Sequence, residues 1–417
     1  MHFQKPRAGL QGVMTMPRRR KIRTLLFSTL YPSSVRPTHG IFVENRLRQV
    51  LGSGEIEAKV VAPVPWFFST HRRFGNYAMM ATTPKREVHN GIDVLHPRYL
   101  LPPKVGMNIA PFALALSTIP TIRQLFESGY DFDLIDAHYY YPDGVAAALI
   151  ARHFRKPFVV TARGTDINLI AKYRIPRKLI EWAASRAHSS IAVCSALSEQ
   201  LSAIGVDSAK LLVLRNGVDL QRFWPMPQVE ARASLDWPSG QTLLSVGNLV
   251  ELKGHHVAIE ALTRLPACRL VIVGTGEARQ SLTRLAQELG VGERVTFSGA
   301  VPQADLYRYY SAADMLVLCS SREGWANVLL EAMACGTPVV ATKLPGTSEV
   351  VTSPEAGLLA AERSPESIAE SVQLLFASLP SREAVRKYAE KFSWDDTTAG
   401  QLALFREVSQ APGVLHP

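Results

Sequence analysis

Short apolar runs alternate with longer amphipathic stretches along this chain, and the whole alternation occurs twice. Such a pattern is typical of β-α-β units, in which buried strands form a parallel sheet and helices cover its faces. The first series predicts strands near 22–27, 58–62, 134–137, 158–161 and 190–193. The second series predicts strands near 243–246, 270–273, 295–297, 315–318 and 338–341. The expected fold class is therefore α/β, with two Rossmann-like doubly wound parallel-sheet domains.

Chain length and breaker residues indicate how these series divide into domains. A chain of 417 residues exceeds what one hydrophobic core usually organises. Proline and glycine, which stop regular elements, cluster near 222–240, and the boundary is expected there. The predicted parts are a basic tail over 1–20, an N-terminal domain over 21–225, a C-terminal domain over 240–390, and a C-terminal helix over 391–417 that packs back toward the N-terminal domain.

The net charge of +10 is concentrated at the N-terminus. The first 23 residues hold seven Lys or Arg side chains and no Asp or Glu. Two interpretations remain open: a solvated arm, or a segment that docks on an anionic membrane surface, where each basic residue contributes about 1 kcal/mol. Nucleic acid is not an expected partner, because no aromatic residues that could stack on bases interleave these charges.

Cysteine spacing and the apolar runs bear on the compartment. Cys194, Cys268, Cys319 and Cys335 lack the paired spacing of a disulfide framework or a zinc site, so reduced thiols are expected. No uninterrupted apolar run reaches about 18 residues, which predicts that no helix spans a bilayer, and no signal peptide is evident before Leu25. The chain is expected to be cytoplasmic, either free or peripheral on the inner face of the cytoplasmic membrane.

The most informative segment is 319–342, in which a buried strand, a short loop and a helix are followed by another strand. Glu323 lies in the loop, and Glu331 follows eight residues later inside the helix. The start of the helix offers backbone N–H groups and a positive dipole end to an anion. A diphosphate there would place Glu323 near a sugar and Glu331 near a ribose, whose hydroxyls a carboxylate binds. Taken alone, a helix cap and a surface residue are the simpler interpretation of these glutamates.

The same segment resembles the E-x₇-E signature of the family 4 retaining glycosyltransferases, which have the GT-B fold of two Rossmann-like domains facing a central cleft. Further features follow in the family's order: an N-G-V-D turn at 216–219, a lysine and glycine at 253–254, a glycine turn at 274–276 and F-S-W at 392–394. The resemblance covers about 22–406. It implies a nucleotide-diphosphate sugar bound mainly by the C-terminal domain, an acceptor on the N-terminal domain, and neither a metal nor another cofactor.

The resemblance also implies roles for individual residues. Lys253 would bind the diphosphate, Glu323 the hydroxyls of the transferred sugar, and Glu331 the ribose. Asn248 stands where related enzymes often carry arginine, which weakens the phosphate contact unless Arg215 or Arg322 compensates. The predicted donor-binding residues are Gly40, Asn248, Lys253, Gly274, Gly276, Ala300, Glu323, Trp325, Ala326, Asn327, Val328, Leu329 and Glu331, of which 326–329 supply the free N–H groups.

Residues of the N-terminal domain are candidates for the acceptor side. His138 ends a strand at the cleft, and Asp143 follows in the next turn. The family often places a functional histidine here, so His138 joins Glu323 and Lys253 as a predicted catalytic residue, while a structural role fits a strand-end histidine equally well. Arg163 stands where related sequences often have histidine. It is expected to bind an anionic group, with Asp166 holding it.

The absence of a suitable carboxylate pair shapes the expected chemistry. No such pair has a spacing that suits double displacement, so same-face substitution is expected, in which the protein positions the substrates and stabilises the leaving diphosphate. Asp131 and Asp133 spell the D-x-D of metal-dependent transferases, but they precede a strand, and no metal site is expected there. Alternative hypotheses are a nucleotide-sugar epimerase or hydrolase on the same fold and a non-catalytic nucleotide- or glycan-binding scaffold.

Apolar segments of the sequence bear on the chemical class of the acceptor. The stretch 108–120, preceded by 100–103 and by 66–68, is apolar enough to touch a membrane or a lipid-linked acceptor, although a buried helix of the first domain explains its length better. Together with the basic tail, it indicates a glycan or lipid-linked acceptor at the inner leaflet. The expected activity is that of a hexosyltransferase in cell-envelope or extracellular polysaccharide biosynthesis.

Overall fold

The computed structural model describes residues 20–101 and 106–410. The predicted basic tail, apart from Arg20, lies outside the described residues, as do 102–105 of the apolar stretch and 411–417 at the C-terminus. Strands of the N-terminal domain are β1 (Ile22–Phe27), β2 (Ile56–Val61), β3 (Val64–Pro65), β4 (Arg86–His89), β5 (Ile92–Leu95), β6 (Arg98–Tyr99), β7 (Leu134–His138), β8 (Phe158–Ala162), β9 (Ser189–Ala192) and β10 (Leu211–Val213). Its α-helices are α1 (Ile41–Gly52), α2 (Gly75–Ala81), α3 (Gly106–Glu127), α4 (Val145–Phe154), α5 (Thr165–Asn168), α6 (Arg174–Arg186) and α7 (Ser195–Ala203).

An eight-stranded sheet in the order β10-β9-β8-β7-β1-β2-β5-β4 forms the centre of this domain. Its pairs are parallel except β4 with β5 at the edge. The central strands β7, β8 and β9 are buried at every position. Such continuous burial follows from a sheet that is covered by helices on both faces. The predicted strands correspond to β1, β2, β7, β8 and β9, whereas the two-residue strands β3 and β6 are too short to show a periodicity.

The C-terminal domain repeats the plan with a smaller sheet. Its strands are β11 (Gln241–Val246), β12 (Cys268–Val273), β13 (Val295–Gly299), β14 (Met315–Leu318), β15 (Val339–Thr342) and β16 (Gly357–Ala360). Its α-helices are α8 (Gln228–Ala233), α9 (His255–Ala261), α10 (Arg279–Glu288), α11 (Leu306–Ala312), α12 (Asn327–Ala334), α13 (Pro345–Ser348), α14 (Pro365–Ala377) and α15 (Arg382–Ala389), and a last helix, α16 (Asp395–Gln410), follows them. The six strands lie in the order β13-β12-β11-β14-β15-β16, and all of them are parallel. The predicted pair of parallel-sheet domains is therefore confirmed.

Helix α16 leaves the C-terminal domain and packs against the N-terminal one. Its Leu402 and Phe405 join a buried cluster with Val50 of α1 and Leu134 of β7. At the surface, Arg406 pairs with Glu55 at 2.6 Å. The chain therefore crosses between the domains twice, once through 214–227 and once before α16, which limits how far the domains can move apart.

Helix α3 corrects one expectation from the sequence. Over its 22 residues it is long and apolar enough to cross a membrane, by length and composition alone, with a mean hydropathy of 1.2 over its most apolar window. The expectation that no helix reaches this length was wrong, because it required an uninterrupted apolar run, whereas this helix stays apolar on average with interspersed polar residues such as Ser117, Thr118 and Thr121. A core helix of a soluble protein passes the same test, and 39% of this window is buried inside the domain.

Candidate functional site

Loops that follow the strands of both sheets meet in the cleft between the domains. In parallel sheets the ligand site lies outside the carboxyl ends of the strands. Here those ends belong to β1, β7 and β8 on one side of the cleft and to β11, β12 and β14 on the other. The donor residues predicted from the sequence lie on these loops or on the helices that follow them, except Ala300, which follows β13.

Lys253 and Glu323 form an ion pair at the centre of the C-terminal side. The Lys253 ammonium Nζ lies 2.7 Å from Oε1 of Glu323, and the hydroxyl of Ser320 donates to the same oxygen at 2.7 Å. The side chains retain 25% and 10% of their exposure, so the pair is accessible but partly desolvated. Gly254 follows the lysine with a φ of 70°, and a Cβ atom there would overlap the carbonyl of Cys319. This close approach brings the β11 loop against the β14 loop and so holds the pair together.

The start of α12 offers fewer free N–H groups than the sequence predicted. Ala326 is the N-cap residue and Trp325 is buried beside it. The N–H of Asn327 donates to the carbonyl of Trp325 at 3.1 Å, and the N–H of Leu329 donates to that of Ala326 at 3.0 Å. The prediction of four free amides over 326–329 is therefore wrong for these two. The reason is that the first turn closes on itself with short-range bonds, which helix starts often do.

Glu331 is half-buried within the helix rather than exposed on the surface. Its Oε2 accepts a hydrogen bond from the hydroxyl of Tyr310 at 2.7 Å, and burial raises the pKa of Glu331. The residue lines a cavity, open to solvent, which both domains border. Phe42 and Asn45 of α1 line its opposite wall. A carboxylate that faces such a cavity fits a ligand-binding role better than a helix cap.

Two glycines after β12 allow the loops that follow β11 and β12 to pack together. Gly274 has a φ of 143°, and a Cβ atom there would overlap the carbonyl of Gly247. A Cβ atom on Gly276 would meet the backbone of Leu249 in the same way. Between these contacts Asn248 is exposed, and Ala300 is exposed after β13. Of the two arginines expected to compensate for Asn248, Arg215 is paired with Glu349 at 2.8 Å.

His138 is held on both ring nitrogens by buried side chains. Its Nδ1 lies 2.6 Å from the guanidinium of Arg163, and its Nε2 lies 3.2 Å from Oδ2 of Asp136. Because arginine can only donate, Nδ1 accepts and Nε2 carries the proton. Burial lowers the pKa of His138 to about 4, which keeps the ring neutral. The predicted contact of this ring with a sugar or acceptor is not available in this arrangement, since the ring is 1% exposed.

A chain of hydrogen bonds extends from His138 into both domains and is called the His138 network. On one side, Gln401 of α16 donates to Asp136 at 3.2 Å and accepts from Arg46 of α1 at 2.6 Å. On the other side, Arg163 donates to Asn216 at 3.1 Å, and the amide of Asn216 donates to Asn327 of α12 at 3.3 Å. The network joins α1, β7, α16 and the connecting segment 214–227 to the start of α12.

The remaining N-terminal candidates fix the shape of their loops. Asp166 accepts the backbone N–H groups of Tyr140, Arg163 and Gly164 at 2.7 to 3.2 Å. Asp166 therefore holds Arg163 through its backbone N–H rather than through its guanidinium. Asp143 accepts from the N–H and the hydroxyl of Thr29, although burial raises the pKa of its carboxyl to about 7.

The two domains touch directly at the loop that carries Glu323. A Cβ atom on Gly324 would overlap the carbonyl of Arg163 and approach the Cα of Gly164. A Cβ atom on Gly346 would overlap the carbonyl of Gly324 from the other side. Just beyond, Glu349 accepts the N–H groups of Ser195 and Ala196, at the start of α7, at 3.0 Å each. The donor-side loop is thus enclosed between the domains in a closed arrangement.

Comparisons with known proteins identify the family. Residues 228–392 match the family described as glycosyl transferases group 1, and residues 81–222 match glycosyltransferase family 4. The Bacillus subtilis (strain 168) protein TuaC, named for teichuronic acid biosynthesis as a glycosyltransferase, is 31% identical over 359 residues, which cover 84% of this chain and 88% of TuaC. The chain belongs to the group 1 glycosyltransferases.

Solved structures show that this glycosyltransferase has the GT-B fold. Sucrose-phosphate synthase from Thermosynechococcus elongatus superposes with a TM-score of 0.76 at 20% identity, covering 94% of this chain and all of that one. HepE of Anabaena, crystallised with UDP and glucose, superposes with a TM-score of 0.70 at 20% identity, covering 93% of this chain and all of that one. At such identities the likeness is one of fold.

Several residues of the glycosyltransferase site were missed by the sequence reasoning. Ser320 and Tyr310, which hold the two glutamates, are ordinary strand-end and helix residues in the sequence. Gln303 lines the cavity of Glu331 and accepts from Arg222 at 2.6 Å. In the His138 network, the turn at 216–219 gave a signal for Asn216, whereas nothing in the sequence pointed to Gln401, because its contact with Arg46 joins positions 355 residues apart.

The low pKa of His138 predicts how stability depends on pH. The unfolded chain takes up a proton on this histidine near pH 6.5, whereas the folded chain does so only near pH 4. The free energy of unfolding should therefore fall as pH decreases through this window, by roughly 3 kcal/mol at most from this residue. In His138→Gln that part of the fall should vanish, as measured by chemical denaturation at pH 7.5 and at about pH 5. The exposed His153→Gln serves as control, and equal pH slopes for all three proteins would contradict the assignment.

Metal chemistry was not expected at the D-x-D at 131–133, and both its carboxylates are paired. Asp131 pairs with Lys156, and Asp133 accepts from the N–H of Arg23 at 2.8 Å. They lie before β7, at the end of the sheet opposite the cleft. Within residues 20–101 and 106–410, no group of three His, Cys, Asp or Glu side chains is placed to hold a metal ion.

Proposed function

We propose that this glycosyltransferase is a hexosyltransferase that moves a sugar from a nucleotide-diphosphate sugar to a glycan or lipid-linked acceptor, with retention of the anomeric configuration. We place it in cell-envelope or extracellular polysaccharide biosynthesis, in the cytoplasm and peripheral on the inner face of the membrane. The observation that carries the proposal is the Lys253–Glu323 pair beside the start of α12, with Glu331 in the cavity at the other end. TuaC, named for a cell-envelope polymer, supports the biological setting.

The donor is proposed to lie across the C-terminal side of the cleft. Lys253 would bind the diphosphate, and Glu323 would turn from the lysine to the hydroxyls of the sugar. Glu331 would accept from the ribose, in a cavity already lined by polar groups of Asn45 and Gln303. UDP is the proposed nucleotide, because HepE binds UDP-glucose on the same fold. Ala300, exposed after β13, is placed to border the base.

Same-face substitution is the proposed route to retention. The bond from the anomeric carbon to the diphosphate breaks as the acceptor oxygen attacks from the same face, and the acceptor proton passes to the departing diphosphate oxygen. Lys253 stabilises the charge that develops there, so the proposal needs no metal. Three buried carboxylates on the acceptor side, Asp136, Asp143 and Asp166, are each engaged by hydrogen bonds, which supports a mechanism without a protein nucleophile.

Within the N-terminal domain, His138 and Arg163 are proposed as positioning residues. The guanidinium of Arg163 donates to Nδ1 of His138 and to the side chain of Asn216. Asn216 in turn donates to Asn327 at the start of α12. The arginine is buried, and burial lowers its pKa to about 9. Recognition of an anionic acceptor group by Arg163 would require the bond to His138 to break, so a positioning role fits its contacts better.

Nucleotide binding tests the proposal before any acceptor is known. UDP at about 100 times its Kd should stabilise the protein by about 2.7 kcal/mol, measured as a thermal shift, with smaller shifts for GDP and ADP at equal concentration. In Glu331→Ala the UDP shift, taken relative to the variant's own Tm, should be lost. Glu370→Ala, an exposed glutamate on α14, is the matched control. A UDP shift that is the same in both variants would remove Glu331 from the site, and no shift with any nucleotide would favour the scaffold hypothesis.

A further inference from the structure

Exposed apolar side chains are concentrated in one part of the N-terminal domain. Of the 18 large hydrophobic side chains that are exposed among the described residues, ten lie between 66 and 116. Phe68 is 67% exposed, Leu100 is 62% exposed and Leu116 is 72% exposed. Single exposed hydrophobic residues are ordinary, but a concentration of this kind indicates a binding surface.

The strand pair β3–β6 links the two chain segments that carry most of these side chains. Val64 and Pro65 pair in parallel with Arg98 and Tyr99, and the N–H of Trp66 donates to the carbonyl of Tyr99 at 2.7 Å. On the β3 side lies a group of aromatic rings, those of Phe67, Phe68, Phe74 and Tyr77. The centroids of the rings in contact are 4.5 to 5.4 Å apart. On the β6 side the chain runs through Leu100 toward α3. The surface formed by Trp66, Phe68, Leu100, Ile109, Phe112 and Leu116 is called the α3 surface.

Helix α3 is apolar on its outer face as well as its inner one. Ala110, Leu114 and Ile122 point into the domain and are buried. Ile109, Phe112 and Leu116 follow the same three- and four-residue spacing on the exposed side. Its only charged side chains, Arg123 and Glu127, lie toward its C-terminal end. A helix that is hydrophobic all round does not match water on its open side.

The two chain segments that contribute the α3 surface contain basic residues and no acidic ones. The sequence holds no Asp or Glu over 62–86 or over 96–126. Arg72 and Arg73 are exposed at the aromatic end, and the guanidinium of Arg73 lies over the ring of Phe74 at 4.7 Å. Aromatic side chains with arginine beside an apolar helix suit the interface of an anionic bilayer. A symmetric contact with a second copy would set these arginines against each other.

We propose that the α3 surface docks the glycosyltransferase on membranes that contain anionic phospholipids. The helix lies in the interfacial plane rather than across the bilayer, because its inner face is packed on the domain. The hydroxyl of Tyr141, in the turn that precedes α4 and carries Asp143, donates to the carbonyl of Met107 at the start of α3. The surface thus lies next to the acceptor side of the cleft. The docking site rests on the peripheral location proposed above and supplies its contact.

Vesicle binding by the full-length chain tests the docking surface. The protein should co-sediment with vesicles of equal parts phosphatidylglycerol and phosphatidylcholine, and weakly with phosphatidylcholine alone. Phe68→Ser and Leu116→Ser should each lower the partition coefficient about tenfold, since each removes one apolar side chain from the interface. Leu374→Ser, at a leucine on α14 that is 57% exposed, is the matched control and should bind as the wild type does. Replacing both Arg72 and Arg73 by glutamine should remove most of the preference for phosphatidylglycerol.

Three results would overturn the docking surface. In the first, the wild-type protein binds neither kind of vesicle. In the second, the Phe68→Ser and Leu116→Ser variants bind as tightly as the Leu374→Ser control. In the third, the wild type is a dimer that the Leu116→Ser substitution dissociates. The second result would place binding on the basic segment 1–20, and the third would assign the surface to a second copy. The UDP thermal shift of the same variants should stay unchanged. If UDP causes no thermal shift in the wild type, that result contradicts the proposed function, and the vesicle binding is then judged independently of it.

Discussion

Replacing Lys253 by alanine should lower kcat/KM by at least about tenfold, a loss of about 1.4 kcal/mol of transition-state stabilisation. The ammonium group is held 2.7 Å from Glu323 in a partly desolvated loop, where a positive charge has most effect on a leaving diphosphate. Glu323→Ala should cause a loss of at least the same size for a different reason, because it removes the partner of the sugar hydroxyls. Steady-state rates with the UDP-sugar and acceptor identified by screening would measure both.

UDP affinity separates the two roles. Lys253→Ala should weaken binding of UDP, since the diphosphate loses its cation. Glu323→Ala should preserve or tighten it, since the lysine no longer has a competing carboxylate. Lys178→Ala, an exposed lysine on α6, is the control. Near-wild-type kinetics in both site variants, or equal losses of UDP affinity in both, would show that the pair does not divide the donor in this way.

The second large effect is expected from Gly324→Ala. The added Cβ would overlap the carbonyl of Arg163 across the domain interface, so the loop that carries Glu323 could not reach its closed position. Because small misplacements of a reacting group cost up to about 100-fold in rate, kcat should fall between about 10- and 100-fold. UDP binding should change little, since Lys253 and Glu331 lie on the C-terminal domain alone.

A matched glycine makes this experiment specific. Gly52→Ala, at the end of α1, adds a Cβ atom with nothing within 4 Å and should leave kcat unchanged. The far-UV circular dichroism of Gly324→Ala should match that of the wild type, which would show that the domains still fold. Wild-type kcat in Gly324→Ala would mean that the two loops are apart when the reaction occurs.

The central strands were predictable because they are buried on both faces. Residues 270–273 and 315–318 are continuous apolar runs, and a parallel sheet covered by helices requires such runs. The edge strands β4 and β16 were not predicted, because several of their positions are exposed or half-exposed, and β3 and β6 are only two residues long. For α3, the run-length criterion overlooked a helix that is apolar on average although several polar residues interrupt it.

The sequence determined the two parallel-sheet domains, the order of their loops and the residue types that a diphosphate and two sets of sugar hydroxyls require. It did so because hydrophobic periodicity and glycine positions are local properties of the chain. Tertiary structure alone decided which groups remain free for a ligand. Arg163, 25 residues away in the sequence, donates a hydrogen bond to Nδ1 of His138. Gln401, 265 residues away from Asp136, donates a hydrogen bond to that carboxylate. Burial and long-range hydrogen bonds set the protonation and accessibility of these groups. Neither burial nor a long-range hydrogen bond can be inferred from the neighbouring residues in the sequence.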